Sequence, residues 1–580
     1  MTIDRRDFLK GALASGALVV GGAALSACSP TSTDSSSTDT KTGTDATNTS
    51  ASTEGYMDST LASQKWSFEI PPDPITDIAE TIDADVVVVG AGTSGLVTAY
   101  SALEKGMAVV LVSASSKPIS RGGSNNAVYS KEMEKEGFAR QLPYYFQKEM
   151  AMNNNNVDHR KWYKYFHNSE EAMNWMIDIM EGSGYRTAIE RNSGMDPNSI
   201  FYQVPSAHGW INDENQSVGM TQPFVVNTLA DKITAGGGQV IYNNIGRQLV
   251  RGSDNKSGRV TAVICEREDG SFAQYNGKKA VVLATGDFST NREMMTKYAP
   301  QTAKMVSDDL YDGDPNYDAE FALGGLFPGD GQRMGLWIGA AWQRVYPNTP
   351  MGATIGAGPT QNPYQNFWGL LVNREGARFM DEYCSNILGG RAQYLQPGGE
   401  AYAIWDVNYS NLPDWYAGQG GYGILAKSTP DEVVKLWEDS VTSGAYIKAD
   451  TLDEVISQLG LPADVTKATI DRYNTLCDAK EDTDFFKRSE NLFPIKTAPF
   501  YGQKASGTPG LLTILGGLRT DDNMRVCDED DNPIPGLYNV GTMVGDFYSG
   551  FYTFQMEGLN LGATCLTFGY LTGRFIAANE

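Results

Sequence analysis

Three glycines carry the first legible chemistry. Gly90, Gly92 and Gly95 are spaced G-x-G-x-x-G at the end of the stretch DADVVVVGAGTSG. At this spacing the first glycine permits a tight turn and the second lets a phosphate approach the main chain. The third lets a helix pack close against a strand. Backbone N–H groups at the helix start then face an anion, which brings Thr93 and Ser94 into the same cradle. The pattern therefore points to nucleotide binding; the alternative is an ordinary turn between a strand and a helix.

Such a cradle works only if particular elements hold it. Val86 to Val89 read as a strand buried on both faces of a parallel sheet, and LVTAYSALEKG after the glycines has helical spacing of its apolar residues. The next strand, AVVLVSASS, ends at Ser113, where an acidic residue about twenty positions after the glycines normally takes the ribose hydroxyls. A hydroxyl makes that contact more weakly. The loop SRGGSNNAVYS supplies Arg121, Gly122, Gly123, Ser124 and Asn125 as groups able to wrap a pyrophosphate, the alternative being a surface loop. Further on, KAVVLATGDFS is a strand that breaks at Ala284, Thr285 and Gly286. In PGDGQRMGLWIGA, Asp330 starts a helix that it either caps or leaves to reach the ligand. Near the C-terminus PGLYNVG ends at Gly541, followed by Thr542. A final helix begins NLGATC, so the main chain at Asn560 and Leu561 faces developing negative charge.

Between these pieces lie three expected helices: EGFARQLPYYFQKEMAM, HRKWYKYFHNSEEAMNWMIDIMEG and TQPFVVNTLADKITAGGG. Their Trp, Tyr and Met residues read as core. QVIYNNIGRQLVRG and GRVTAVICERED read as strands around a charged turn, and the sheet is expected to resume near GLLTILGGLRT.

Composition narrows the function. A net charge of −24 argues against nucleic acid and anionic membrane surfaces. The cysteines are Cys28, Cys265, Cys384, Cys477, Cys527 and Cys565, with no C-x-x-C or C-x-x-C-H, so neither an iron–sulfur cluster nor attached c-type haem is encoded. With only His159, His167 and His208, no histidine-rich metal site is expected, and the metal set is none.

The first 28 residues read as a twin-arginine signal peptide, with Arg5-Arg6, a short glycine-rich apolar run and Leu25-Ser26-Ala27-Cys28 as a lipobox. A plain anchor helix is the alternative. Residues 29–60 are a disordered Ser/Thr-rich linker with an r.m.s. reach on the order of 30 Å. The protein is thus expected outside the cytoplasm, touching the membrane only through a lipid on Cys28.

Taken in order, VVVVGAGTSG, KAVVLATGDFS, GDGQRMGLWIGA, LLVNREGARFMDE, LLTILGGLRTD, IPGLYNVGT and LNLGATCLTFGYLTG resemble one flavoprotein superfamily. It comprises the flavocytochrome c-type fumarate reductases, the urocanate reductases and the 3-ketosteroid dehydrogenases. The resemblance implies an α/β fold, a Rossmann-like FAD-binding domain (residues 80–340 and 512–580) with an inserted α+β capping domain at 341–511. It further implies non-covalent FAD and hydride transfer between flavin N5 and a carbon activated by a neighbouring carbonyl.

The dicarboxylate-binding groups of the fumarate reductases do not carry over. Four residues beyond Glu382 their proton-delivering arginine is Asn386. Their His-Pro is Tyr346-Pro347, a binding histidine is Thr513, and a second arginine is Met556. Two carboxylates without these cations would be desolvated and unpaired. The chain is therefore not expected to be a fumarate reductase. Tyr383, Tyr548, Phe551 and Phe554, with Thr513 and Met556, favour a flat aromatic or polycyclic substrate. Tyr346 and Tyr552 are the candidate proton donors, as the ketosteroid members use tyrosines where the fumarate members use arginine and histidine. Asn386 can hold an enolate oxygen, and Arg391 can serve if its loop differs from the family's.

Three readings follow: a reductase saturating an activated C=C bond with electrons from a separate membrane cytochrome or quinol-linked donor, a ketosteroid-type dehydrogenase, or an FAD-bearing electron carrier.

Overall fold

The computed structural model describes residues 64–120, 122–190, 202, 204–215, 221–319, 326–353, 357–361, 365–412, 415, 428–505 and 510–580. The twin-arginine pattern, Cys28, the Ser/Thr linker and Arg121 lie outside the described residues.

Strand β1 (Glu80–Val89) is followed by helix α1 (Thr93–Leu103) and strand β2 (Val109–Val112). Val86 to Val89 of β1 lie parallel to Val109–Val112 on one edge and to Ala280–Leu283 on the other. Val86 and Val88 pack into one apolar core, Val87 and Val89 into a second on the opposite face. A strand so placed has no side turned to water, which is why four valines run without interruption.

Next come β3 (Asn125–Asn126), α2 (Pro143–Met152), α3 (His159–Glu181), β4 (Arg186–Ile189) and β5 (Ala207–Ile211), the strands forming a small antiparallel sheet in the order β3-β5-β4. Helix α2 begins only at Pro143, not at Glu136 as the apolar pattern suggested. Proline holds the preceding Leu142 in an extended conformation (φ −82°, ψ 148°). Helix α4 (Gln222–Ala235) leads to β6 (Gln239–Ile241), parallel to β2. The hairpin β7 (Asn244–Arg251) and β8 (Val260–Arg267) leads to β9 (Phe272–Leu283), parallel to β1.

Helix α5 (Asp330–Trp337) and strand β10 (Thr349–Ala353) precede a segment with its own sheet. This contains β11 (Leu370–Val372), α6 (Asn386–Tyr394), β12 (Tyr402–Asp406), α7 (Pro430–Thr442), β13 (Ile447–Ala449), α8 (Leu452–Leu459), α9 (Ala463–Ala479) and β14 (Phe500–Lys504). Its four strands pair antiparallel in the order β11-β12-β14-β13. Alternate residues of β12 serve two cores: Ile404 packs with Val455 and Ile470, Trp405 with Trp437 and Tyr501.

Inside this segment sits a buried ion cluster. Arg378 grips both carboxyl oxygens of Glu382 at 2.9 and 2.8 Å and reaches Asp482 at 2.8 Å, while Lys487 Nζ lies 3.1 Å from Glu382. Lys487 also donates to the Trp368 carbonyl. Burial drives the Lys487 ammonium down from its ordinary pKa, opposed by Glu382.

The chain then forms β15 (Gly510–Leu515), β16 (Arg525–Cys527), β17 (Pro533–Asn539) and, after a π-helical stretch at Leu561–Thr567, helix α10 (Phe568–Asn579). The main sheet does not resume at GLLTILGGLRT: β15 pairs antiparallel with β10 in a separate two-stranded sheet. It resumes at β17, where Leu537–Asn539 fill the open edge of β9 beside Val281–Leu283. The completed order is β16-β17-β9-β1-β2-β6. Among the described residues no helix is long and apolar enough to cross a membrane.

Candidate functional site

One cavity of about 320 Å³ runs along the C-terminal end of β1 and the start of α1. Gly90, Gly92, Thr93 and Ser94 line it. Gly90 has φ +118°, and a Cβ there would stand 2.3 Å from the Ala284 carbonyl oxygen. Gly95 does not line the cavity. A Cβ on it would meet the Gly90 oxygen at 2.0 Å, so its lack of a side chain lets α1 close onto the turn. The N-cap of α1 is Gly92, and no side chain caps this end. Its first N–H groups have no partner within the helix, and an anion bound in the cavity would satisfy them.

Ser113 and Ser115 line the cavity at the end of β2. The Ser113 hydroxyl accepts from Ala91 N at 3.3 Å and bonds Ser115 Oγ at 2.8 Å, so two hydroxyls stand where a carboxylate is usual. Gly122, Gly123 and Ser124 line the wall. Asn125 sits behind it, donating to the Leu561 carbonyl at 3.2 Å and accepting from Gln222 at 2.5 Å. Gln222 in turn accepts from Thr93 at 3.0 Å, which ties the loop to α1.

Ala284, Thr285 and Gly286 also line the cavity, and a Cβ on Gly286 would meet the Phe327 ring at 2.6 Å. Asp330 lines the cavity without capping its helix: Gly329 (φ +76°) is the N-cap of α5. The Asp330 carboxylate accepts from Tyr317 at 2.7 Å and pairs with Arg333. Thr542, Asn560 and Leu561 also line it, Leu561 beside Gly122, while Gly541 packs behind Ser94. Thus glycine turn, uncapped helix start and paired serine hydroxyls fit the phosphate and ribose parts of a dinucleotide. Among the described residues no group of His, Cys, Asp and Glu gathers at metal distance.

The cavity lining also includes Asn386, Leu512, Thr513, Tyr552, Phe554 and Cys565. Tyr552 is buried edge-on against Tyr548 (5.1 Å between centroids) and Phe554 (4.7 Å). Burial raises its pKa, while the backbone N–H groups of Asn560 and Leu559 oppose that rise by favouring the phenolate. No Lys, Arg or His stands among the residues described as lining the cavity.

The other expected site residues stand elsewhere. Tyr346 is half-buried and does not line the cavity. Arg391, on α6, donates to the Gly550 carbonyl at 2.6 Å and lies 4.2 Å above the Phe551 ring, outside the lining. Tyr383 packs on Trp368 (4.7 Å), Met556 is core, and Tyr548 stands behind Tyr552.

Two groups escaped the sequence reading. Glu149, on the buried face of α2 with Phe146 and Met150, is fully enclosed. Thr553 Oγ1 lies 2.7 and 2.9 Å from its two oxygens, and Tyr202 OH lies 3.2 Å from Oε1 and 2.9 Å from the Tyr145 carbonyl. Burial raises its pKa to about 7. A charged residue inside the apolar pattern of α2 was the available signal. The second is Asp287, next after Gly286, which lines the cavity and binds Thr513. The buried His208, by contrast, is pushed down to about 4 by desolvation and held by Ser130, a neutral structural ring.

The FAD binding domain family model matches residues 85–559. The chain is 25% identical over 511 residues to the vinyl phenol reductase of Lactiplantibacillus plantarum, covering 84% of this chain and 94% of that one. It is 32% identical over 334 residues to the 3-oxosteroid 1-dehydrogenase of Mycolicibacterium smegmatis, covering 52% of each, so it spans about half the length of that relative. The fold matches the crystal structure of the 3-ketosteroid-Δ4-(5α)-dehydrogenase from Rhodococcus jostii RHA1 with a TM-score of 0.68 at 22% identity, over 88% of this chain and all of that one. The relatives are FAD-dependent oxidoreductases of carbon–carbon bonds, and with glycine turn, cavity and sheet order in agreement, the chain belongs to the FAD binding domain family as one of them.

Proposed function

We propose that the protein saturates an activated C=C bond of a neutral aromatic or polycyclic molecule. One observation carries this reading: the described cavity wall presents Tyr552 and Phe554 and no Lys, Arg or His. A dicarboxylate would enter such a wall without counter-charge, whereas a flat apolar ring loses little on leaving water. Two relatives, named vinyl phenol reductase and 3-oxosteroid 1-dehydrogenase, support a substrate of that flat kind.

FAD, when bound, supplies the hydride for one alkene carbon. Tyr552 supplies the proton for the other, so that one hydride and one proton convert C=C to CH–CH. The charge left on its oxygen faces the N–H groups of Leu559 and Asn560, which stabilise it as it forms. The aromatic packing of Tyr548 and Phe554 holds the ring in place and keeps water from the reacting carbons.

The twin-arginine pattern and the lipobox at Cys28 support a place outside the cytoplasm, with a lipid tether. Without a haem or cluster motif of its own, the chain would draw electrons from a separate membrane cytochrome or quinol-linked protein. Oxidation of a saturated ketone is the second reading, favoured by the oxosteroid dehydrogenase relative.

Anaerobic reduction of the purified protein with dithionite, followed by a panel of enones, vinyl phenols, enoates and steroids, tests this. Prompt flavin reoxidation with a saturated product supports reduction. Bleaching of oxidised flavin by a saturated ketone supports oxidation. Indifference to every compound leaves an electron carrier.

A further inference from the structure

Asp287 is 1% exposed and stands in the cavity wall. Its Oδ1 accepts from Ser289 N (3.2 Å) and Ser289 Oγ (2.8 Å). Its Oδ2 accepts from Thr513 Oγ1 (2.6 Å) and Ile514 N (3.3 Å). No ion pair reaches it among the described residues. Four donors occupy about four lone-pair sites, so the carboxylate is satisfied by the protein itself.

This determines what Thr513 can offer. A threonine hydroxyl has one hydrogen, and here it is spent on Asp287. The oxygen of Thr513, which lines the cavity, therefore presents only lone pairs. An uncompensated carboxylate behind it adds negative potential inside a poorly screened space. An incoming O–H or N–H gains a hydrogen bond there, while an incoming carboxylate or carbonyl oxygen meets lone pairs and like charge.

We propose that the Asp287–Thr513 pair makes its part of the cavity wall select substrates whose polar handle is a hydrogen-bond donor, such as a phenolic or alcoholic hydroxyl, and reject anionic ones. The inference rests on the reading of this cavity as the substrate site. It goes beyond the absence of cations, because a merely uncharged wall would not distinguish donor from acceptor handles, whereas the Thr513 oxygen offers lone pairs alone.

The test uses p-cresol and p-toluate, which share a ring and differ in handle. Their affinities for the oxidised, FAD-loaded protein are measured by visible difference spectra and by calorimetry, in the wild type, D287N and T513V. The wild type is expected to bind p-cresol at least about tenfold more tightly than p-toluate. D287N removes the charge and lets an amide donate to Thr513, which frees that hydroxyl's hydrogen, so the ratio collapses. T513V removes the acceptor oxygen, so p-cresol weakens and the ratio falls. Equal affinities in the wild type, binding of neither compound, or an unchanged ratio in the variants would overturn the proposal. If D287N does not fold, T513V decides alone. Because no turnover is read, a preference for p-cresol in a protein that reduces no alkene would sink the reductase reading and leave this one standing.

Discussion

The hydroxyl of Thr553 sits within hydrogen-bond distance of both carboxyl oxygens of Glu149, at 2.7 and 2.9 Å, and no ion pair reaches that carboxyl among the described residues. Tyr202 lies closer to the Tyr145 carbonyl than to Glu149. Burial favours the protonated form of Glu149 against the Thr553 and Tyr202 hydroxyls, and its bonds to Thr553 pin the loop that carries Tyr552 to helix α2.

The pH dependence of stability follows. The pKa of Glu149 is raised from 4.5 to about 7 in the folded protein. Between those values the native state holds a proton that the unfolded chain has released. Stability from this group is therefore full below pH 4.5, falls as pH rises, and is gone above about 7, a loss of roughly 3 kcal/mol at 1.36 kcal/mol per unit. The buried Glu557 acts in the same sense. E149Q keeps the shape and one donor. Denaturant unfolding at pH 5 and pH 8 should show a smaller drop in E149Q than in the wild type, and equal drops would refute the assignment.

Tyr552 lines the cavity and Tyr346 does not. Y552F should slow alkene-driven reoxidation of the reduced flavin by about 10²–10⁴-fold, the usual worth of a positioned acid. Y346F should change it less than about threefold. Stopped-flow absorbance separates the two, and a reversed order would transfer the donor role to Tyr346.

Gly95 and Gly92 share a motif but not a constraint. A Cβ at Gly95 would meet the Gly90 oxygen at 2.0 Å, while one at Gly92 finds only the Ile119 oxygen at 3.5 Å. G95A must push α1 off the turn and should yield protein without yellow colour. G92A should fold with stability within about 1 kcal/mol of the wild type. The ratio of bound flavin to protein, with the unfolding midpoint, checks both.

Glu382 holds two buried cations, Arg378 and Lys487. Removing one member of such a cluster leaves charge uncompensated, so E382Q should cost about 3–5 kcal/mol in denaturant unfolding. Adding K487M to E382Q should restore part of it by removing the stranded ammonium. A double variant no more stable than E382Q would show that the cost lies elsewhere.

Much of the cofactor half was readable because its signals are local. Strand, glycine turn and helix are contiguous from Val86 to Leu103, and the small-residue breaks at Ala284 and Thr542 mark further lengths of cavity wall. Where the reading strayed, a non-local term decided. The apolar stretch at β15 was a strand as expected, yet its partner is β10, because β17 takes the edge of β9. Pattern shows that a segment will pair, not with what.

By itself the sequence determined the nucleotide-binding architecture and the flavoprotein family, since each depends on residue type at a known spacing. Tertiary structure alone decided that Tyr552 rather than Tyr346 or Arg391 meets the cavity. It also decided that Asp287 takes the hydrogen of Thr513 and that Glu149 lies under Thr553. Those pairs join residues hundreds of positions apart, and the direction of a hydroxyl's single hydrogen depends on which acceptor the folded chain has brought within 3 Å of it.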